Sequence, residues 1–375
     1  MSTFTRTNNV LTKEPTLETL FMIKNFPTYV GCVTTPKNDD VLIDFVLDIC
    51  TETGILQVKN LVSLDQVYLF PHNDAIGRTW HEHNEKFAEL IEEFSPKKIL
   101  EIGGGSGKLS KTYVAKNSNV DWTILDPNPL FDENDKIHSV KKYFSSDLSL
   151  SRDFDGIIHS HVLEHQHDPE QFFIDLSKFL IPNGLQIFSF PNLFQWLSKK
   201  YLNCMNFEHT IFLTETYVDC ILKRTGFEIL KKIPFRTDHS IFYVTKYTDQ
   251  KNNIDFPNLY EQNKKLYLEY VNYYKEYVSQ LNLQLKTFSN KVFIFGAHIF
   301  SQYLLSFGLD EKRISGILDN SPLKIGKRLY GTNLFVFNPE IIKNENVGVI
   351  LKVGSYRNEI IEQLQQINPN VKIFE

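Results

Sequence analysis

No apolar run in the 375 residues approaches the length needed to cross a bilayer. The opening stretch, MSTFTRTNNVLTKEP, has no apolar core of the kind a secretory leader carries. Both absences point away from membranes and export, so a cytoplasmic protein is expected. A basic patch is missing too. The net charge is -5, the pI is about 6.1, and no block of like charges is long enough to form a basic arm or an acidic tail. Nucleic acid is therefore excluded as an expected partner. The four cysteines, Cys32, Cys50, Cys204 and Cys220, are scattered without a C-x-x-C pair. That speaks against a disulfide framework and for reduced, mostly buried thiols. Internal repeats and low-complexity tracts are also absent.

What remains is a globular chain, 42% hydrophobic, and longer than the roughly 250–300 residues at which single cores divide. Phe87, Leu90, Ile91 and Phe94 recur at helical spacing. Apolar strands then alternate with helical segments: KILEI (98–102), DWTILD (121–126), FDGIIHS (154–160) and PNGLQIFSFPN (182–192), with a helix near 168–180. GFEILKKIPF and SIFYVTKY read as a closing antiparallel pair. The alternation predicts an α/β fold with a doubly wound, mainly parallel sheet.

Near residue 250 the composition turns polar. A long helix follows, with Asn258 as N-cap and Glu261 three residues on. Its apolar stripe runs from Tyr267 to Phe288 and reads as a packing face. A second strand-loop-helix start follows (KVFIFGAHIF), with further strands ISGILD, VGVILKV and VKIF. Three segments result: 1–78 as a small N-terminal domain, 79–255 as the central domain, and 256–375 as a linker helix with a C-terminal Rossmann-like domain.

The stretch KKILEIGGGSGKLS holds four glycines within five residues, directly after a strand. A P-loop requires a glycine five positions before Gly107, where Ile102 stands, and a hydroxyl after Lys108, where Leu109 stands. A dinucleotide fingerprint requires a third glycine where Lys108 or Ser110 stands. What fits is acid-x-G-x-G-x-G, formed by Glu101, Gly103, Gly105 and Gly107. The next strand ends in Asp126, placed to accept both hydroxyls of a ribose. A loop lacking the phosphate-binding pair and preceded by an acid suits a cofactor bearing an ammonium and a carboxylate.

In this the chain resembles the class I methyltransferases that use S-adenosylmethionine. The resemblance implies that Glu101 faces the methionine amino group, directly or through water. Gly103 and Gly105 would allow close approach, and Asp126 would bind the ribose. Asp147 becomes a candidate for the adenine amine, with Phe144 beside the ring; an ordinary solvated turn is an equal reading of that pair.

HSHVLEHQHD places His159, His161, His165 and His167 beyond a strand's carboxyl end. The spacing matches no metal motif, and His81 and His83, two apart on a helix, face different ways. No metal site is expected, and most of these histidines read as hydrogen-bonded bystanders.

The segment NCMNFEHTIFLTETYVDCILKRTGFEIL resembles part of the three-domain nucleotide-sugar methyltransferases, of the type that methylates deoxysugars at C-3′. There an adjacent Glu-His pair supplies the base, which matches Glu208 and His209. A further family histidine matches His165, and a family tyrosine position holds Asn206. The family's N-terminal zinc domain is reduced to Cys50 and Gly54 of a C-x-x-C-G element, with Thr53 in place of the second cysteine. The metal is expected to be lost and the shape kept by apolar packing. In the tail, Gly296-Ala297-His298 lacks the second glycine of a dinucleotide loop, so NAD is not expected there. The resemblance implies transfer of a methyl group to a nucleotide-linked sugar, within surface or capsule polysaccharide biosynthesis. Asn206 and the lost zinc tilt the reading toward a sugar hydroxyl. The alternatives are C-methylation of a keto-deoxysugar and a non-catalytic sugar-nucleotide-binding protein.

Overall fold

Seven strands form the central sheet, those at its middle the most apolar: β1 (Lys98–Ile102), β2 (Asp121–Leu125), β3 (Ile137–Val140), β4 (Phe154–Ser160), β5 (Leu180–Pro191), β6 (Phe227–Phe235) and β7 (Ser240–Tyr247). Strands buried on both faces need apolar runs, because helices cover each side. The computed structural model describes residues 3–68 and 77–375. Residues 69–76, inside the expected N-terminal domain, lie outside the described residues.

The strand order is β3-β2-β1-β4-β5-β7-β6. Pairing is parallel from β3 through to β5, whereas β7 runs antiparallel to both β5 and β6. The order reverses between β1 and β4, and ligands of open α/β sheets bind outside the strand ends at such a point. Helix α1 (Arg78–Phe94) buries His83, Phe87, Ala88, Leu90 and Ile91 against a core containing Trp122, Ile124 and Phe242. Helix α2 (Lys108–Val114) starts directly after the glycine loop. Helix α3 (Pro169–Ser177) is opened by Asp168, whose side chain accepts from the Gln171 N–H, and by proline in its first turn. Helix α4 (Glu215–Arg224) precedes the closing hairpin of β6 and β7. The antiparallel pair and the helix near 168–180 stand where the sequence placed them. Strand β3, which the sequence reading left out, adds an edge.

Contacts divide the chain into two compact units. One takes in Ala75–Leu193 and Leu213–Pro257, which holds the seven-stranded sheet; the other takes in Met1–Asp74, Phe194–Phe212 and Asn258–Glu375. Most of the segments expected as N- and C-terminal domains therefore share one unit. Its N-terminal part is an antiparallel sheet of Leu17–Pro27, Leu42–Cys50 and Leu56–Val58. The C-terminal part begins with α5 (Tyr260–Thr287), whose buried face is Tyr267, Tyr270, Val271, Tyr274, Val278, Leu281 and Leu285. Its N-cap position is Leu259, one residue later than expected, although the Asn258 carboxamide still accepts from the Tyr260 N–H at 2.9 Å.

The second parallel sheet comprises β8 (Lys291–Phe295), β9 (Gly316–Leu318), β10 (Val336–Phe337), β11 (Val347–Leu351) and β12 (Lys372–Phe374), in the order β10-β9-β8-β11-β12. Helices α6 (Ile299–Ser306) and α7 (Arg357–Ile367) accompany it. Cys32–Val33 pairs antiparallel with Arg328–Leu329, which joins the two ends of the chain. Behind that joint, Arg328 and Asp40 form a buried two-pronged ion pair at 2.6 and 2.8 Å.

The cysteines serve separate neighbourhoods. The Cys50 sulfur receives the Asn9 side-chain amide at 2.8 Å and the Glu52 and Thr53 N–H groups at 3.3 Å, with the Thr16 hydroxyl at 3.1 Å. Burial pushes this thiol up, and the hydrogen bonds from Thr16, Thr53 and Glu52 outweigh it, leaving a net lowering. Cys32 instead directs its thiol at the Ala297 carbonyl.

Candidate functional site

The glycine loop adopts a shape that only glycine takes at ease. Gly103, Gly105 and Gly107 have φ of +73°, +35° and +64°. A Cβ on Gly103 would meet Val162 at 2.6 Å, and one on Gly104 would meet the Glu101 carboxyl carbon at 2.7 Å. The loop therefore folds down over Glu101, whose carboxylate accepts from the Trp122 indole N–H at 2.8 Å. Glu101 is only 3% exposed. Burial pushes its pKa up to about 7, Asp126 adds to the rise, and the Trp122 hydrogen bond opposes it.

Asp126 receives the Gly105 N–H at 2.9 Å on one oxygen and the Asn128 N–H at 2.7 Å on the other. Each carboxylate oxygen keeps a further lone pair on a half-exposed side chain. Residues 128–131 close over the same loop, through the Leu130 N–H to the Gly105 carbonyl and the Phe131 ring against Gly107.

Asp147 is exposed and accepts from the Ser145 hydroxyl, in a loop lining an open cleft of about 410 Å³ with Lys142 and Tyr143. Phe144 instead turns inward, edge-on to Phe172 and Phe179.

Beyond β4 the histidines part ways. His159 is core: it stacks on Phe188, bonds Gln186 at 2.9 Å, and burial pushes its pKa down to about 3. His161 sits at φ +54°, an uncommon conformation for a residue with a side chain. Its Nδ1 lies 3.2 Å from buried Glu164, and His165 Nε2 lies 3.8 Å from the same oxygen.

A family model described as a methyltransferase domain matches residues 79–232. It spans β1 to β5 with the glycine loop and Asp126. Residues 79–232 are a methyltransferase domain. The domain has the class I S-adenosylmethionine-dependent fold, and S-adenosylmethionine is its methyl donor. A second model, a C-methyltransferase C-terminal domain, matches residues 244–373.

Over 145 residues the chain is 28% identical to a ubiquinone biosynthesis O-methyltransferase of Rickettsia conorii, covering 36% of this chain and 50% of that protein. The chain thus spans about half the length of the curated relative it matches. A putative O-methyltransferase of Nostoc punctiforme superimposes with a TM-score of 0.37 and 16% identity, covering 44% of this chain and 56% of that one. A putative S-adenosylmethionine-dependent methyltransferase of Listeria monocytogenes gives a TM-score of 0.37 and 14% identity, covering 45% and 97%.

The residues of the methyltransferase domain fit the cofactor. A buried carboxyl held up near 7 gains most from a neighbouring cation, which suits Glu101 to the methionine ammonium. Asp126, with one backbone donor on each oxygen, can still take two ribose hydroxyls. Gly104, Trp122, Asn128 and Phe131 were not singled out from the sequence. The middle glycine of the Gly103–Gly105 run and the single tryptophan of the strand facing Glu101 were the available signals.

The Glu-His pair lies in the other unit. There 203–212 runs beside the N-terminal strand, through Val58 N–H to Thr210 carbonyl and Phe212 N–H to Leu56 carbonyl. The Asn206 side-chain oxygen accepts from the Glu208 and His209 N–H groups at 2.7 and 3.0 Å. Asn206 is thus a positioning residue that shapes the turn, rather than the donor a tyrosine there would offer. His209 Nδ1 lies 2.9 Å from the Asn203 carbonyl, an arrangement that makes Nδ1 the donor and Nε2 the basic nitrogen. Among the described residues, no helix is long and apolar enough to cross a membrane.

Proposed function

We propose that this chain transfers a methyl group from S-adenosylmethionine to a nucleotide-linked sugar, at a carbon beside a keto group. The match of residues 244–373 to a C-methyltransferase C-terminal domain carries this reading. It outweighs the tilt toward a hydroxyl that Asn206 suggested, because Asn206 has a turn to hold. The nucleotide-sugar acceptor rests on the likeness of 203–230 to the sugar methyltransferases. Transfer to a hydroxyl stays as a second reading, favoured by the likeness to an O-methyltransferase.

Bound S-adenosylmethionine would supply an electrophilic methyl on a sulfonium, with a neutral thioether as the leaving group. Glu101 holds the ammonium, Asp126 the ribose, and the backbone at Gly103 and Gly105 leaves room for close contact. His209 takes the proton from the sugar carbon onto Nε2, leaving an enolate whose carbon accepts the methyl group. The Asn203 carbonyl keeps Nδ1 protonated, and the Asn206 turn fixes the ring's backbone. His165 serves the acceptor as a second imidazole rather than as the base.

Proton removal can be read without turnover. In deuterated water with S-adenosylhomocysteine, a nucleotide-linked keto-sugar should take up deuterium at the carbon to be methylated. His209→Ala should slow that exchange and turnover by about 10²–10⁴-fold, the usual worth of a general base. Exchange that survives in His209→Ala and disappears in His165→Ala would move the base to the loop after β4.

A further inference from the structure

Three histidines far apart in sequence meet within the methyltransferase domain: His83 from α1, His161 from the turn after β4, and His239 from the turn between β6 and β7. Their ring centres stand 5.5 Å (His83 to His161), 5.5 Å (His83 to His239) and 5.8 Å (His161 to His239) apart. One nitrogen from each can be chosen so that all three lie within 4.8 Å of one another. Trp80 closes one side, with its ring centre 4.8–5.2 Å from each imidazole.

The triangle has the size a metal ion requires. Its centre is about 3.2 Å from each ring (side length divided by √3). A zinc–imidazole bond of about 2.0–2.1 Å plus a ring radius of roughly 1.2 Å gives the same separation. The surroundings are equally suited. His83 is fully buried, and its Nδ1 has no hydrogen-bond partner while Nε2 is engaged at 2.9 Å with Ser189. An orphaned buried imidazole nitrogen costs free energy that a bound ion would recover.

The outer nitrogens are already held by oxygens. His239 Nδ1 is 2.6 Å from the Ser240 hydroxyl, and His161 Nδ1 is 3.2 Å from the Glu164 carboxylate. A ligating histidine oriented by a carboxylate or hydroxyl on its far nitrogen is the usual outer arrangement of a metal site. Coordination through His161 Nε2 requires only that Ser240, now 2.8 Å from it, keep its bond to His239 alone.

We propose that His83, His161 and His239 form a binding site for one divalent transition ion of the zinc type. His83 coordinates through Nδ1, and His161 and His239 through Nε2. Three neutral nitrogen ligands leave a fourth position for water, and His161, 16% exposed, marks the side from which the ion enters. The ion staples three elements: helix α1, the loop after β4 and the β6–β7 turn. The staple also borders the cofactor loop, since Val162, the neighbour of His161, is what a Cβ on Gly103 would strike. No short motif announces it, because the three histidines are spaced 78 and 78 residues apart (83 to 161, 161 to 239).

The full chain, stripped with a chelator and desalted, should take up one Zn2+ or Co2+ per chain and keep it through gel filtration. Cobalt should give the intense visible bands of four-coordinate geometry, and X-ray absorption should count three imidazole nitrogens. Zinc should raise the melting temperature, because an ion that binds only the folded state stabilises it by mass action. His83→Asn and His239→Gln should each weaken binding by about 100-fold or more, whereas His165→Ala should leave it intact. A wild-type chain that retains no ion at equimolar zinc would overturn the proposal. So would a cobalt spectrum of six oxygen ligands, or loss of the ion in His165→Ala with retention in His239→Gln. If the ligand variants fail to fold, the wild-type stoichiometry and absorption spectrum decide alone.

Discussion

Glu101 couples the cofactor loop to folding through its proton. Its pKa rises from the ordinary 4.5 to about 7, chiefly by burial. A raised folded-state value means a stability contribution that is complete below about 4.5 and lost as pH climbs through about 7. That rise corresponds to about 3 kcal/mol as an upper bound. Glu101→Gln cannot ionise, so its melting temperature relative to wild type should be higher at pH 8 than at pH 5; an equal difference at both would show that Glu101 stays charged in the fold. Asp126 makes a different demand. Both its oxygens hold backbone N–H groups, so Asp126→Ala should loosen residues 126–131 as well as weaken S-adenosylmethionine. Calorimetry should show a loss of about 1–3 kcal/mol in affinity, the cost of removing a charged acceptor from buried donors. Unchanged affinity in a folded variant would remove Asp126 from the site.

The elements show where sequence was a good guide. β1, β4 and β7 match their expected limits, because strands buried on both faces read as mostly apolar runs. The cofactor loop was legible for the same kind of reason: backbone at positive φ leaves glycine little competition. The first 80 residues were not read into elements, since partly exposed antiparallel strands such as Leu17–Pro27 carry bulges that break the alternation. Long-range partners were equally hidden. Nothing near Asp40 announces Arg328, yet the two are buried together, with Arg328 also donating to the Thr35 and Thr332 carbonyls. Asp40→Asn would leave that guanidinium buried without its counter-charge, a change worth about 3–5 kcal/mol. The urea midpoint should fall accordingly, and an unshifted midpoint would show that Thr35 and Thr332 suffice. Asn206 shows the opposite lesson. Alignment to a family motif assigned it a chemical position, and its local hydrogen bonds reveal a turn-forming one.

At the scale of the whole molecule, two parallel sheets repeat one device. In the second sheet Asp319 accepts the Ala297 N–H at 2.8 Å and the Ser321 N–H at 2.9 Å, as Asp126 accepts those of Gly105 and Asn128. Asp319 differs in having Lys324 at 3.3 Å, so its carboxylate is already matched by a cation, whereas among the described residues no lysine or arginine pairs with Asp126. That contrast favours the first sheet as the seat of the methyl donor, and the proposed acceptor is what remains to be tested. Mass spectrometry of a panel of nucleotide-linked sugars and keto-sugars, incubated with the full chain and S-adenosylmethionine, tests the acceptor most directly. The account predicts that a keto-sugar nucleotide gains one methylene unit while S-adenosylhomocysteine accumulates in equal amount, with the new methyl bonded to carbon by NMR. Methyl transfer confined to acceptors without a nucleotide, with every sugar nucleotide recovered unchanged, would contradict it.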